Sequence, residues 1–228
     1  MPPENARNRD RQDDGAKPLP SRRTRKNDPD ATRENILEVA EEEFANAGFS
    51  GARVDAIAEK TKTSKRMLYY YFGNKEGLYL AVLERAYAKI RSLENRLQLQ
   101  NMEPEAAMRS LIASTFDHDD ANVDFVQLVS IENVHRAEHL KKSDVIRHTN
   151  VGVLDIISSI LARGEASGVF SRRVDPVDLH LMISAACFFR VSNRHTFGAI
   201  FNRDLMSDAI KSRHRQIISD MIIAYLKS

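Results

Sequence analysis

Basic and aromatic side chains are concentrated in one short stretch of the sequence. Residues 53–77 carry six basic side chains against three acidic ones, and they include three consecutive tyrosines at 69–71. Guanidinium and ammonium groups bind phosphates and base edges, and tyrosine hydroxyls donate to phosphate oxygens. The adjacent segment 34–43 carries five glutamates and no basic residue. This uneven charge distribution favours contact with a polyanion along residues 53–77, although the net charge of the chain is only +2.

The spacing of apolar residues predicts two short helices that carry these side chains. Val54, Ile57 and Ala58 give a helix at about 54–60 its buried face. Leu68 and Phe72 do the same for a helix at about 65–71, and Ser64 stands where an N-cap is required. The remaining residues of this second helix are expected at the surface: Lys65, Arg66, Met67, Tyr69, Tyr70 and Tyr71. We therefore predict a helix-turn-helix whose recognition helix is Ser64–Phe72.

A second group of residues could bind a small molecule. Phe125, Leu128, Glu132 and His135 are spaced three and four apart on a predicted helix at about 122–139, so they share one face. Polar groups among apolar ones are typical of a ligand pocket, and Phe188 on a later helix is a further candidate. A structural hydrogen bond or an interface contact between the two polar residues would explain the same spacing.

The sequence predicts neither a metal site nor a cofactor. Glu132 and His135 match half of the Glu-x-x-His pattern of di-iron bundles, but the required second pair is absent from the sequence. The lone cysteine, Cys187, lies among apolar residues, which favours a role in the core. The sequence also lacks a P-loop, a G-x-G-x-x-G motif and a nucleophile elbow. We therefore predict that the chain is not an enzyme.

Composition indicates a globular cytoplasmic protein with an unstructured start. Of its 228 residues 42% are hydrophobic and 29% are charged, and a single cysteine fits a reducing compartment. We find neither a secretory signal nor an apolar run of the roughly 18 residues that span a bilayer. Residues 1–30 are expected to form a disordered basic arm, with the cluster SRRTRK at 21–26. This arm is either a solubilising tail or a segment that reaches the DNA backbone or minor groove.

Helical periodicity extends through the rest of the chain and predicts an all-α fold. A first helix at about 32–47 ends at Gly48, and a long fourth helix runs from near Asn74 to about residue 98. Further helices are predicted near residues 104–117, 122–139, 143–167, 176–195 and 205–226. We expect two domains, a three-helix DNA-binding domain at 31–77 and a helical ligand-binding and dimerisation domain at 78–228.

The stretch GFSGARVDAIAEKTKTSKRMLYYYFGNKEGLYLAVL resembles the signature of the TetR family of bacterial transcriptional regulators. The matching positions are Gly48, Ile57, Ala58, Ser64, Lys65, Leu68, Tyr69, Tyr71, Phe72, Lys75 and Leu78. The resemblance implies that Lys65 and Arg66 meet bases and phosphates, and guanine is the base that such side chains read best. It implies phosphate contacts for Tyr69, Tyr71 and Lys75, with Tyr70 between the two tyrosines.

Two positions depart from the family signature. Ala52 stands where the family usually has a capping threonine, which makes the neighbouring Arg53 the candidate for a contact with the DNA backbone. The turn reads Thr61-Lys62-Thr63 instead of Ala-Gly-Val. Lys62 must therefore adopt the conformation of a glycine, or the turn must differ.

The resemblance also implies a homodimer and an effector. In the family, the last two helices form a four-helix bundle with those of a second subunit, and the apolar helices at 176–195 and 205–226 fit that role. We expect a repressor that binds a palindromic DNA operator as a dimer and is released by a small-molecule effector. An activator or an effector-independent DNA-binding protein would share the same motifs, and a helical enzyme or interaction module is the alternative outside this class.

Overall fold

The computed structural model describes residues 28–228, which form ten α-helices, two short 3₁₀ segments and no strand. The described part of the chain is therefore all-α, as the periodicity predicts. The predicted disordered arm at 1–30 lies outside the described residues except for its last three positions, where the first helix begins. The helices are α1 (Pro29–Gly51), α2 (Val54–Lys60), α3 (Lys65–Phe72), α4 (Lys75–Arg96), α5 (Pro104–Ala121), α6 (Val123–Val134), α7 (Asp144–Ala166), α8 (Pro176–Ser192), α9 (Arg194–Phe201) and α10 (Asp208–Lys227).

Helix α1 is held at both ends and along one charged face. Asp28 caps its start by accepting hydrogen bonds from the N–H groups of residues 30 and 31, and the regular helix breaks at Gly48, where φ is 68°. The apolar stripe of α1 packs into a core that also contains Ile57 and Leu68. On another face, Arg85 of α4 pairs with three glutamates of α1 at 34, 38 and 41. The acidic segment of the sequence thus joins α1 to α4.

The turn between α2 and α3 decides between the two alternatives for Lys62 and contains the expected cap at Ser64. Lys62 has a φ of 53°, so it adopts the left-handed conformation that favours glycine. Ser64 caps α3 by accepting a hydrogen bond from the N–H of Met67 at 3.2 Å. Helix α2, in contrast, starts without a side-chain cap, as the alanine at 52 predicts. The turn therefore forms with one residue, Lys62, in a strained backbone conformation.

The second core lies farther along the chain and joins α5, α7, α8 and α10. Among the described helices, α7 alone is long and apolar enough, by length and composition, to cross a membrane. In the fold, α7 packs against α4, α5 and α8, and it buries Val153, Ile157 and Ile160 in this core. Cys187 is also buried here, and burial raises the pKa of its thiol to about 12. This core is the framework of the C-terminal domain.

Helix α6 ends at Val134, so the prediction of a helix to residue 139 is wrong. The chain turns away because residues 136 and 137 have φ values of 58° and 57°. The turn closes around the Glu132 carboxylate, which accepts hydrogen bonds from the Tyr79 hydroxyl at 3.0 Å and the Leu140 N–H at 2.9 Å. His139 Nδ1 lies 3.1 Å from the same carboxylate. Burial, reinforced by this carboxylate, raises the pKa of Tyr79 well above its usual range.

Helix α9 is not predicted from the sequence, where one helix is expected at 176–195 and the next at 205–226. Arg190, buried near the end of α8, donates a hydrogen bond to the Leu205 carbonyl at 3.0 Å and pairs with Asp120 of α5. These contacts fold the intervening segment back beside α8, and α9 forms within it. Its residues Phe197 and Phe201 remain at the surface. The long-range contacts of Arg190 therefore explain why the helices differ from those predicted by local periodicity.

We predict that Lys62→Gly stabilises the protein. Glycine removes the left-handed strain of about 1–2 kcal/mol, and it adds unfolded-state entropy worth part of that amount, so we expect a net gain of about 0.5–1 kcal/mol. Urea unfolding followed by circular dichroism measures the change. Lys62→Ala is the matched control because it removes the charge but keeps the strain. Equal stabilisation by both variants would contradict the explanation.

We predict that Glu132→Ala lowers the free energy of unfolding by about 3 kcal/mol, because it leaves the buried Tyr79 hydroxyl and Leu140 N–H without their acceptor. Thermal and urea unfolding measure the loss. Glu138→Ala, at an exposed position on the same turn, is the control and should change stability by less than about 0.5 kcal/mol. If the two variants were equally stable, Glu132 would not hold this turn together.

Candidate nucleic-acid interface and neighbouring cavity

Helix α3 presents a basic and aromatic face to solvent. Its one fully buried side chain is Leu68, which packs in the α1–α4 core. Lys65, Arg66 and Met67 are exposed at its first turn. Tyr70 is 79% exposed and Tyr69 is 39% exposed. An exposed helix face of this composition matches the size of a DNA major groove and the donors that its phosphates and bases accept.

Tyr71 and Phe72 lie deeper than the other aromatic residues of α3. Both are half-buried and pack against the α1–α4 core. The Tyr71 ring contacts Tyr70 with ring centroids 5.6 Å apart, and the Arg33 guanidinium lies 5.3 Å from the centroid of Phe72. The prediction that Phe72 faces inward and Tyr71 outward is therefore only partly met, because both residues sit at the border of the core.

Lys65 has a protein partner that sequence spacing did not indicate. Its ammonium group lies 3.1 Å from the carboxylate of Asp55 on α2. The hydrogen bond and charge of Asp55 raise the pKa of Lys65, so the lysine stays protonated. Both side chains are solvent-exposed, and an exposed pair of this kind is weak and salt-sensitive. Arg66, beside it, is exposed and makes no hydrogen bond or ion pair within residues 28–228.

The junction between α3 and α4 is short and tightly packed. Gly73 ends α3 with φ of 77°, and Asn74 caps α4 by accepting a hydrogen bond from the Gly77 N–H at 2.8 Å. A Cβ atom on Gly77 would lie 2.1 Å from the Phe72 carbonyl oxygen, so no larger residue fits there without a shift. The junction therefore leaves no room for a side chain between the end of α3 and the first turn of α4.

Lys75 and Arg53 flank this face. The Lys75 ammonium donates to the Ser50 carbonyl at 3.3 Å and lies 5.1 Å from the centroid of the Phe49 ring. These contacts hold Lys75 beside the end of α1. The Arg53 side chain is exposed, while its backbone N–H donates to Glu43 at 3.1 Å. All nine residues predicted for DNA contact thus lie in the helix-turn-helix or at the adjacent start of α4.

A cavity of about 370 Å³ lies in the C-terminal domain between α4, α5, α6, α7 and α8. Phe125 and Phe188, both predicted for ligand contact, line it. The other predicted residues do not. Leu128 packs in the core shared with the DNA-binding helices, Glu132 is bonded at the end of α6, and His135 is exposed beyond that end. The shared face predicted for these four residues is wrong because α6 stops before position 135 and its two sides face different cores.

Further polar residues of the cavity wall, which were not predicted from the sequence, lie on three helices. They include Arg91 on α4, Asp119 on α5 and His180 on α8. Burial and the positive charge of Arg91 lower the pKa of His180, so its ring favours the neutral form. Helical spacing could have indicated these cavity residues, because Tyr87 and Arg91 are four positions apart, as are residues 180, 184 and 188. Within residues 28–228, no group of three His, Cys, Asp or Glu side chains is arranged to hold a metal ion.

An apolar groove of about 970 Å³ runs along α8 and α10. Met182 and Phe189 of α8, with Met221 and Tyr225 of α10, line it and are exposed. Phe189 also contacts Phe197 of α9, with ring centroids 6.3 Å apart. The apolar surface therefore continues from the groove onto the unpredicted helix.

Comparisons with known proteins agree with these features. A family model described as bacterial regulatory proteins, tetR family, matches residues 36–82. A second, described as tetracyclin repressor-like, C-terminal domain, matches residues 104–222. The chain is 35% identical to the HTH-type transcriptional repressor NicS of Pseudomonas putida over 198 residues, which are 87% of this chain and 93% of that protein.

Of two further similar proteins, one matches a short stretch of the chain and the other matches most of it. The HTH-type transcriptional repressor SCO4008 of Streptomyces coelicolor is 47% identical over 58 residues, 25% of this chain and 30% of that protein. The crystal structure of the transcriptional regulator SCO4942 from Streptomyces coelicolor superposes with a TM-score of 0.64 at 26% identity, covering 85% of this chain and 97% of that one. Identity is thus highest over a short stretch, while the fold is shared over most of the chain. This chain belongs to the TetR family of bacterial transcriptional regulators.

Proposed function

We propose that this TetR-type repressor binds a palindromic DNA operator as a dimer and leaves it when a small molecule occupies the cavity between α4 and α8. The observation that carries the proposal is the course of α4. This helix starts three residues after the end of α3, and its residues Tyr87 and Arg91 form part of the cavity wall. A ligand that shifts α4 therefore acts directly on the DNA-reading helix.

DNA recognition is assigned to the exposed face of α3 and its flanks. We assign base readout to Arg66 and Lys65, because guanidinium and ammonium groups at the tip of such a helix reach guanine O6 and N7. Tyr69, Tyr71 and Lys75 are assigned to backbone phosphates. Ser64, Met67 and Tyr70 complete the α3 surface, and Arg53 serves as a further backbone contact.

The groove along α8 and α10 is assigned to a second copy of the chain. A single recognition helix covers few base pairs, so proteins of this kind bind two half-sites about 34–36 Å apart as dimers. Large apolar side chains along the groove, such as Met221 at 60% exposure, are costly to leave in water. Packing α8 and α10 against the same helices of a partner would cover them.

Release follows from linkage between the two sites. The cavity contains Phe125, Val129 and Asn133 of α6, while Glu132 on the same helix bonds to Tyr79 of α4. A ligand that displaces α6 or α4 changes the position of α3 and therefore the distance between the two recognition helices of the dimer. The ligand can weaken operator binding only as far as it prefers this displaced state. We place this activity in the cytoplasm, on the nucleoid.

In-vitro transcription from the selected operator distinguishes a repressor from an activator. The operator is first selected from random duplexes with the full chain. A repressor lowers transcript yield in proportion to operator occupancy, whereas an activator raises it. An effector-independent protein would repress equally whether or not the cavity is filled.

We predict that Arg66→Ala relaxes preference at one base pair per half-site and weakens operator binding by about 1–3 kcal/mol. Lys75→Ala and Tyr69→Ala should instead weaken all sequences alike, and Lys75→Ala should reduce the salt slope by about 1 for each contact removed. Fluorescence anisotropy over a salt series measures both quantities. Arg173→Ala, at an exposed position before α8, is the control and should bind as the wild type does. Unchanged binding by all three DNA-face variants would contradict the assigned interface.

We predict that Met221→Glu produces a monomer, because it buries a carboxylate in the proposed apolar interface. Sedimentation equilibrium should show the dimer constant weakened by at least about a hundredfold, and operator affinity should fall with it. Val145→Glu is the control, since Val145 is an equally exposed apolar residue in the first turn of α7, away from the groove. A dimer that survives Met221→Glu would place the interface elsewhere.

A further inference from the structure

Arg91 is a buried cation in the wall of the cavity. It is only 8% exposed and lies on α4, and its Nη1 donates to the Glu94 carboxylate at 2.6 Å. Its Nε is buried and has no hydrogen-bond partner in the part of the chain that the structure describes. Among the cavity-lining side chains of residues 28–228, this Nε is the one buried polar atom left unpaired. A buried guanidinium with an unused donor favours a further acceptor.

The carboxylate that faces Arg91 is a weak counter-ion. Glu94 is 2% exposed, and its second oxygen is buried with no partner among the described residues. Burial raises the pKa of Glu94 to about 7, against the opposing pull of Arg91. Near neutral pH the carboxyl group is therefore protonated almost as readily as it is ionised. Burial thus opposes the ionised form of Glu94 and weakens it as a counter-ion for Arg91.

Apolar atoms supply most of the remaining cavity surface, which suits a ligand with a flat apolar body. Tyr87, Phe125 and Phe188 supply three aromatic rings, and Ile90, Val129 and Leu181 supply aliphatic surface. Aromatic rings pack best against other rings, edge to face or offset. The volume of about 370 Å³ is that of a small-ligand site.

We propose that the cavity binds a small aromatic monocarboxylate, whose carboxylate pairs with Arg91 while its ring packs among the cavity aromatics. The ligand replaces Glu94 as the counter-ion of Arg91, and Glu94 takes up a proton. This inference rests on the proposed function only in treating the bound acid as the effector.

Asp119 is the feature of the wall that would favour a cation instead. Its carboxylate lines the cavity, but His118 Nδ1 lies 3.4 Å from Oδ1, so one of its two oxygens already has a partner. Arg91 has an unused donor and Asp119 does not have a buried unpaired oxygen. The unsatisfied group thus favours an anion, and an organic amine serves as the competing probe.

Proton uptake gives the binding a characteristic pH dependence. Glu94 has Arg91 on α4 as its ion-pair partner and shares a neighbouring cavity wall with Arg163 of α7, while Asp119 of α5 and His180 of α8 share the ligand cavity with Arg91. A bound anion raises the pKa of Glu94 above its ligand-free value, so affinity is highest below that value and falls as pH rises through it. His180 would respond in the same direction, and Glu94→Gln separates its share from that of Glu94.

The test is calorimetric titration of the full-length protein with benzoate, phenylacetate and 2-naphthoate, each against its neutral carboxamide, and with 2-naphthylmethylamine. We expect at least one carboxylate to bind ten times more tightly than its amide. Affinity should rise roughly fivefold from pH 8 to pH 6. Glu94→Gln, which mimics the protonated residue, should bind at least as tightly and lose most of this dependence. Arg91→Met combined with Glu94→Gln leaves no unpaired charge, so it should fold and lose the carboxylate preference.

Several outcomes would overturn the proposal. These are equal binding of acid and amide, preferred binding of the amine, no binding by any of the three acids, or a carboxylate preference that survives in the double variant. Operator binding in the presence of the bound acid is measured separately. If the acid binds through Arg91 but does not change operator affinity, the carboxylate site is confirmed. The proposal that a ligand in the cavity releases the protein from its operator is then wrong.

Discussion

Helix α4 belongs to both halves of the molecule, and this sharing is the constraint on which the rest of the structure depends. Its first half places Leu78, Tyr79 and Val82 in the core of the DNA-binding helices. Its second half carries Arg91 in the cavity wall. Because α4 begins three residues after the end of α3 and also lines the cavity, we propose that the DNA-binding helices and the cavity move together.

Charged side chains reinforce this connection at several depths. Near the surface, Arg85 joins α4 to the acidic face of α1. Deeper, the Glu132 carboxylate links α4 to the end of α6 through Tyr79. Such buried polar contacts add little net stability, since desolvation offsets most of their attraction, but they permit few alternative arrangements. We infer that they specify how α1, α4 and α6 are placed relative to one another.

Much of the DNA-binding half could be predicted from local sequence. The cap at Ser64, the buried position of Leu68 and the left-handed Lys62 all follow from interactions within a few residues. The cavity could be predicted only in part. Phe125 was predicted from helical spacing and Phe188 as an aromatic residue on a later helix. Glu132 and His135 were misplaced because the end of α6 depends on a hydrogen bond to Tyr79, 53 positions away from Glu132.

The sequence by itself determined the helical class, the bounds of α2 and α3 and the chemistry of the exposed face of α3, because periodicity, capping and turn geometry are local properties. Its motif also indicated the family. Only the tertiary structure decided where α6 ends, that α9 exists, that Asp55 pairs with Lys65, and which side chains enclose the cavity. These features arise where residues distant in sequence compete for the same buried volume or the same buried charge. A single sequence carries no local pattern for the outcome of that competition.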